Sequence, residues 1–212
     1  MKLTRIPGLS TWPVYQPERR IDFNGFLLAG PASGAAGGVL VDPMPLDTAQ
    51  LTQVSEQGGV GFVLITNADH LRAGAELADR FGSQLVAPGP DRERFAASVQ
   101  DRVDAWFGPD DQLPEPLAAL FDVVWLGGGK STLEPALYWT AQRAWIFGDL
   151  VRSHESGRLR LLPPPKLSDE DRARADVLAL LDRPAEAVLL GDGDSIFAGA
   201  KQALDELAAT LR

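Results

Sequence analysis

The absence of cysteine and the small number of histidines limit the chemistry that this chain can perform. The sequence has 212 residues, with two histidines and no cysteine. The lack of cysteine excludes disulfides, thiolate metal ligands and a cysteine nucleophile. Any catalysis must therefore rest on carboxylates, hydroxyl groups, lysine or the two histidines, which are His70 and His154.

Five short segments bring such residues next to apolar or glycine-rich runs. They are Val39-Leu40-Val41-Asp42, Ile65-Thr66-Asn67-Ala68-Asp69-His70, Gly128-Gly129-Lys130-Ser131, Trp145-Ile146-Phe147-Gly148-Asp149 and Leu189-Leu190-Gly191-Asp192-Gly193-Asp194. Each pattern alone is weak evidence for a site. Their order and spacing along one chain are more specific, so we interpret them together.

The elements that must position these segments follow from hydrophobic patterning and turn signals. Short strands are predicted first, over residues 10–15, 23–29 and 38–42. An alternation of helix and strand follows, over residues 46–56, 61–65, 72–81 and 84–87. A second β-rich part covers residues 122–125, 137–139 and 144–147, and helices return at 169–181 and 196–211. Strands followed by helices, twice, suggest two packed sheets with helices outside.

The five segments resemble the motifs of the metallo-β-lactamase superfamily, and the resemblance covers nearly the whole chain. Asp69-His70 lies on the end of the HxHxDH pattern, Gly148-Asp149 on the FxGD motif, and Asp192 on the late GHG loop. The resemblance implies a four-layer αββα sandwich of two mixed β-sheets with outer helices. It also implies a metal site where loops meet at one edge of the sheets. We expect residues 1–212 to form a single domain of this kind.

The resemblance implies that the first metal should be held by three histidines. Their places are taken here by Ile65, Asn67 and Lys130. Isoleucine cannot ligate a metal, asparagine is a weak ligand, and an ammonium group repels a cation. We therefore expect the first site to be absent, with Asn67 and Lys130 as pocket residues. An ammonium at this position would neutralise Asp149 and Asp69, although Lys130 could instead be a solvent-facing turn residue.

For the second metal the resemblance implies the ligands Asp69, His70, Asp149 and Asp192, with Asp69 and His70 as the catalytic pair if the protein is active. An oxygen-rich set of this kind favours harder cations, so a single manganese, magnesium or zinc ion is the candidate cofactor. The alternative is that these acidic residues only cap loops and pair with Lys130. In that case the second site is empty too.

Several other residues could have a functional role, but a structural role explains them more simply. Residues 127–132 resemble the end of a P-loop, but Val124 stands where the full pattern needs glycine. His154 is expected at the surface, and Arg72 on a solvated helix face. The tryptophans of the strand-like segments are expected to pack the sheets; they are Trp12, Trp125, Trp139 and Trp145.

Composition limits the partners. The formal net charge of −9, with scattered basic residues, argues against a nucleic-acid surface. No continuous apolar run is long enough to predict a membrane span or a signal peptide, so the cytoplasm is the expected compartment. An unidentified small molecule is then the expected partner, and the oligomeric state is open.

Two functions follow from these readings. The first is a non-hydrolytic binding or regulatory protein on a metallo-β-lactamase fold with an eroded dinuclear centre. The second is a mononuclear metal-dependent hydrolase of an ester, thioester, lactone or phosphoester. The losses at Ile65, Asn67 and Lys130, together with the late histidine replaced by Asp192, favour the first function. The presence of Asp69, His70 and Asp149 favours the second.

Overall fold

Two mixed β-sheets packed face to face form the centre of the protein. The computed structural model describes residues 1–30 and 37–212. Within these residues the first sheet has seven strands, in the order β1-β2-β3-β4-β5-β6-β7. Its strands are β1 Lys2–Leu3, β2 Leu9–Gln16, β3 Ile21–Leu28, β4 Gly38–Val41, β5 Val60–Leu64, β6 Gln84–Pro88 and β7 Ala105–Phe107. The pairs from β1 to β4 are antiparallel, and the pairs from β4 to β7 are parallel.

The second sheet has four strands in the part of the chain that is described, in the order β13-β10-β9-β8. Its strands are β8 Phe121–Leu126, β9 Glu134–Trp139, β10 Ala144–Phe147 and β13 Ala187–Leu190. Strands β10 and β13 are parallel, and the other pairs are antiparallel. A separate hairpin pairs β11 Val151–Glu155 with β12 Arg158–Leu161.

Helices cover the outer face of each sheet. Within residues 1–30 and 37–212 the α-helices are α1 Thr48–Glu56, α2 Gly74–Phe81, α3 Ala97–Gln100, α4 Leu117–Leu120, α5 Glu170–Leu181 and α6 Lys201–Leu211. Helices α1 and α2 pack on the first sheet, and α5 and α6 on the second. The four-layer αββα sandwich expected from the sequence is confirmed.

Alternation of side chains along each strand explains this layering, because successive residues of a strand point to opposite faces. In β4, Val39 and Val41 enter the core between the sheets, whereas Leu40 packs beneath α1 and α2. In β9, Leu137 and Trp139 enter the same central core. Strands β4, β10 and β13 are buried on both faces and carry no polar side chain, whereas β9 carries one charged residue, Glu134, at its start.

The first and last helices begin later than predicted, for local reasons. The first helix begins at Thr48 because Asp47 caps it: its side chain accepts from the N–H of Gln50, whose side chain accepts in return from the N–H of Asp47. The last helix was predicted to begin at Ile196 but begins at Lys201. The backbone of Ile196 is instead extended, exchanging two hydrogen bonds with Val188 of β13.

Turns and segments at one edge of the sandwich carry the polar residues singled out in the sequence. Asp42 follows β4, the segment from Asn67 to His70 follows β5, and Asp149 follows β10. Asp192 follows β13, which runs parallel to β10. The carboxyl ends of parallel strands meet at one edge of a sheet, which is where α/β proteins usually place their sites. Across the described residues, no helix is both long and apolar enough to cross a membrane.

The central core gives a direct test of this packing. Leu137→Ala removes a fully buried side chain from between the sheets and should lower the free energy of unfolding by about 2–5 kcal/mol. Leu3→Ala is the matched control, because Leu3 is 83% exposed, and it should change stability by no more than about 0.5 kcal/mol. Urea denaturation of both variants measures the difference. Equal effects would contradict the proposed position of Leu137.

Candidate functional site

The site is built around His70, which is 2% exposed. Asn67 starts the short 3-10 turn that carries this histidine, because its side chain accepts from the His70 N–H. The His70 Nδ1 lies 2.8 Å from Asp42 Oδ2. Asp42 in turn accepts from the hydroxyl and the N–H of Thr66, at 2.6 and 2.8 Å. The imidazole is therefore fixed from the side of the first sheet.

Two carboxylates from the second sheet face the other nitrogen of this ring. The His70 Nε2 lies 4.0 Å from an oxygen of Asp149 and 3.7 Å from an oxygen of Asp192. His70, Asp149 and Asp192 each present one ligand atom, and these atoms lie within 4.8 Å of one another. The structure thus brings three of the four predicted second-site residues together.

Asp69, the fourth, lies outside that group of three. Its side chain is 44% exposed and bonds two cationic groups, Lys130 Nζ at 3.0 Å and Arg94 Nη2 at 2.9 Å. Arg94 also bonds both oxygens of Asp91, a buried carboxylate, and donates to the hydroxyl of Ser131. Asp69 therefore belongs to a partly exposed ion-pair chain above the buried group.

Lys130 links this outer chain to the buried carboxylates. Its Nζ lies 2.7 Å from Asp149 Oδ2 as well as 3.0 Å from Asp69 Oδ2. The ion pair expected from the sequence is present, and the alternative of a solvent-facing turn is wrong because the Lys130 side chain is only 22% exposed. Burial opposes the charge, but Asp149 and Asp69 outweigh it and raise the pKa of Lys130. The ammonium group is fully charged at neutral pH.

The glycine turn before Lys130 is shaped by packing. Gly128 has a φ of 77°, and a Cβ there would collide with the carbonyl of Asp169 at the start of α5. The Gly127 N–H is already bonded to the Asp176 side chain. A strand, β9, follows the turn, whereas a phosphate loop needs a helix start. The P-loop interpretation is therefore wrong.

Two buried arginines hold Asp192. Arg72 Nη2 donates to Asp192 Oδ1 at 3.0 Å, and Arg152 Nη2 donates to Asp192 Oδ2. Arg72 also donates to the carbonyls of Asn24 and Gly191, at 2.8 and 3.1 Å, and so connects β3 with the loop after β13. Both oxygens of Asp192 are thus bonded to guanidinium groups.

The prediction of a solvated helix face for Arg72 was wrong. Helix α2 begins at Gly74, so Arg72 precedes it, in a left-handed turn conformation with a φ of 43°. That turn directs the side chain into the edge of the sandwich, where it is 6% exposed. His154, by contrast, is exposed on β11 as expected.

The other two positions of the predicted first site have different surroundings. Ile65 packs in the apolar core beneath α2. Asn67 is fully buried and donates from Nδ2 to Glu134 Oε2 at 2.8 Å. Glu134 also accepts from the backbone N–H groups of Asp149 and Leu150, at 3.0 and 2.9 Å. A buried carboxylate therefore gathers three N–H donors behind the site.

Electrostatics differ sharply between the two neighbouring acids. Burial and the nearby Asp149 charge raise the pKa of Glu134 to about 7, although its backbone donors act in the opposite direction. Burial alone would raise the pKa of Asp149 too, but His70 and Lys130 outweigh it and lower that pKa. For His70, burial and Arg72 act to lower the pKa, and Asp42 with Asp149 raises it above its ordinary value. Asp149 therefore ionises at lower pH than Glu134.

Comparisons with known proteins agree with this geometry. The sequence profile of the metallo-beta-lactamase superfamily matches residues 1–211. This chain belongs to that superfamily. A comparison with curated proteins gives no match.

Solved metallo-β-lactamase structures share the fold at low sequence identity. A metallo-beta-lactamase from Pontibacter korlensis has a TM-score of 0.73 and 16% identity, covering 100% of this chain and 97% of its own. DIM-1 metallo-beta-lactamase exposed to ceftazidime has a TM-score of 0.71 and 16% identity, covering 97% and 94%. A metallo-beta-lactamase family protein from Thermus thermophilus has a TM-score of 0.60 and 20% identity, covering 96% and 79%.

Divalent metals are bound in this superfamily, and the donors of this chain meet that role only in part. One imidazole and two carboxylates form a chemically suitable group. However, Asp192 is bonded to Arg72 and Arg152, and Asp149 to Lys130. A divalent cation among these carboxylates would lie beside fixed positive charges, which repel it. The types of donor atom suit a metal ion. The cationic side chains that these donors already bind do not suit one.

Sequence reasoning missed several residues of the site. Asp42 was noted only as the end of a strand, and Glu134, Arg94 and Arg152 were not singled out. Glu134 carried a usable signal, because it is a charged residue at the start of a strand that is buried throughout. The arginines carried none, because their pairing depends on contacts between distant loops.

The Lys130 ion pair predicts a measurable coupling. Lys130→Ala leaves Asp149 buried without its nearest cation and should destabilise the protein by about 1–3 kcal/mol. Adding Asp149→Asn should cost less than the sum of the two single changes, because the same interaction is removed once. Thermal and urea denaturation of the single and double variants test this. Additive effects, or no loss for Lys130→Ala, would reject the internal ion pair.

The hydrogen bonds that Glu134 accepts predict a second effect on stability. Glu134→Gln puts an amide N–H₂ against the N–H donors of Asn67 or of the backbone, so one acceptor is lost with almost no change of shape. We expect a loss of about 1–3 kcal/mol in the free energy of unfolding. Glu18→Gln is the matched control, because Glu18 is exposed. Equal stability of the two variants would show that the three donors do not depend on the carboxylate.

Proposed function

We propose that this protein is a non-hydrolytic member of the metallo-β-lactamase superfamily, with a binding or regulatory role and a metal centre replaced by cations of the chain. The position of Lys130 carries the proposal, since its ammonium lies 2.7 Å from Asp149 and 3.0 Å from Asp69. A cation supplied by the chain neutralises carboxylates that a metal would otherwise neutralise. The eroded centre is then a stable alternative to a metal site.

The binding state of Asp192 supports the same proposal. This residue stands where the family pattern has its late histidine, and both of its oxygens bond arginines. A metal ligand must offer a free lone pair in the right direction, and a guanidinium competes for the same oxygen. Binding a metal at Asp192 would require at least one arginine to leave a buried position.

Access to the buried group also favours a non-hydrolytic role. His70, Asp149 and Asp192 are 2%, 3% and 1% exposed. Hydrolysis requires both a water nucleophile and the substrate carbonyl or phosphoryl group to reach the reacting centre. Lys130, Asp69 and Arg94 occupy the outer side of this group. The polar centre therefore serves to hold loops together.

The competing candidate is a mononuclear hydrolase of an ester, thioester, lactone or phosphoester. The observation in its favour is the convergence of His70, Asp149 and Asp192 ligand atoms within 4.8 Å. A manganese, magnesium or zinc ion is the cofactor this candidate requires. It also requires Lys130 and the arginines to move away from the carboxylates when the metal binds.

Elemental analysis with activity assays separates the two candidates. Purified protein, incubated with manganese, magnesium or zinc and dialysed, should retain only substoichiometric metal. Hydrolysis of nitrophenyl esters and phosphoesters should not exceed a blank with the same metal. One equivalent of retained metal, with turnover that Asp149→Asn abolishes, would overturn the proposal in favour of the hydrolase.

Removal of the internal cation predicts a gain of metal binding. In Lys130→Ala the carboxylates of Asp149 and Asp69 lose their ammonium partner, so manganese should raise the melting temperature of this variant more than that of the unaltered protein. A ligand that binds only the folded state at 100 times its Kd adds about 2.7 kcal/mol. Lys166→Ala, at an exposed lysine, is the control and should respond as the unaltered protein does. No difference among the three would show that Lys130 does not exclude metal.

A further inference from the structure

A cavity of about 410 Å³ lies beside the unpaired edges of the two sheets, and none of its lining residues belongs to the charged centre. Strands β7 and β8 are the edge strands of their sheets in the part of the structure that is described. Phe107 ends β7 and Trp125 lies in β8, with ring centroids 5.4 Å apart. The connection between these strands lines the rest of the cavity. Its volume falls within the range of about 300–1,000 Å³ typical of small-molecule sites.

One wall of this cavity is aromatic and aliphatic. Phe107, Leu113 and Phe121 are buried behind it, whereas Val123 and Trp125 are half-buried and face it. The Trp125 indole N–H makes no hydrogen bond within the residues that the structure describes. A partly buried tryptophan ring at a cavity offers an apolar face and an N–H donor to a ligand. Trp125 therefore differs from Trp139 and Trp145, which are fully buried.

Charge at the rim gives the cavity a preferred ligand. Asp111 and Asp122 line it, and no lysine or arginine is among its lining residues. Asp122 bonds Arg183, which neutralises it. Asp111 makes no ion pair with the described residues. Two backbone hydrogen bonds with Gly108, at 2.7 and 3.2 Å, hold it at the rim. The uncompensated carboxylate attracts cations and repels anions.

We propose that this cavity binds a small aromatic amine in its protonated form. The ring of the ligand lies against Trp125 and Val123, which face the cavity, and its ammonium group lies near Asp111. Stacking and cation–π contacts with tryptophan favour a flat cationic ligand over an aliphatic or anionic one. The proposal rests on the proposed function only in treating the protein as one that binds a small molecule.

Two ligands with the same ring and opposite charge provide the test. Isothermal titration calorimetry would compare 2-naphthylmethylamine with 2-naphthoic acid, using the full chain. The amine should bind at least about tenfold more tightly than the acid, which corresponds to about 1.4 kcal/mol. Asp111→Asn should remove most of this preference without abolishing binding of the ring.

Variants of the aromatic wall complete the test. Trp125→Ala should weaken amine binding by about tenfold or more, and Trp125→Phe should retain most of it. Tyr15→Ala is the control for loss of an aromatic side chain, because Tyr15 is 58% exposed on β2 and does not line the cavity; its binding should be unchanged. If Trp125→Ala fails to fold, Trp125→Phe and Asp111→Asn still decide the outcome through the ratio of amine to acid affinity.

Three results would overturn the proposal. They are equal affinity for amine and acid, no measurable binding of the amine, and amine binding that is unaffected by Trp125→Ala in a folded protein. Metal content of the same preparations tests the proposed function separately. Retained metal and turnover together with normal amine binding would reject the non-hydrolytic role alone, and absent metal without amine binding would reject the cavity ligand alone.

Discussion

Attraction between opposite charges on loops of the two sheets is the interaction on which the site depends. Lys130 of the second sheet bonds Asp69 of the first, and Arg72 of the first bonds Asp192 of the second. The hydrogen bond from Asn67 to Glu134 crosses the same boundary. Apolar packing brings the sheets together but does not fix the relative position of their edges, because hydrophobic burial is not directional. The polar contacts supply that direction.

Burying so many carboxylates is costly unless each has partners, since desolvation penalises an isolated charge. Each buried carboxylate has a nearby partner that offsets this cost. Asp42 accepts a hydrogen bond from Thr66 and contacts His70. Asp149 bonds Lys130, and Asp192 bonds two arginines. A metal ion exchanges with solvent, whereas a lysine is covalently attached and always present at the same stoichiometry. If the proposed function is correct, a centre neutralised in this way needs no metal from its surroundings and is insensitive to chelators.

The sequence carried enough information for the fold, and for only part of the site. The αββα layering was predictable because strands such as β4 alternate between two apolar cores, and because polar motifs mark strand ends in order. The ion pair of Lys130 was predictable because the family resemblance aligns this residue with a lost metal-ligand histidine. The roles of Arg72 and Arg152 were not, because each depends on contacts across the fold; Arg72 and Asp192 are 120 residues apart in the chain. The left-handed backbone conformation of Arg72 sets the direction of its side chain. No local sequence pattern predicts this conformation in a residue other than glycine or asparagine.

Separation along the chain also bears on how the protein folds. Asn24 donates to the carbonyl of Leu190, a contact that spans 166 residues. Such contacts are slow to form, because the loop entropy must be lost before they contribute. The hairpin of β2 and β3 can form early. Its contacts with the loop after β13 can form only when nearly the whole chain has folded. Contacts that form after the transition state affect the unfolding rate much more than the folding rate. The polar contacts at this edge of the sandwich should therefore mainly slow the unfolding of the folded protein.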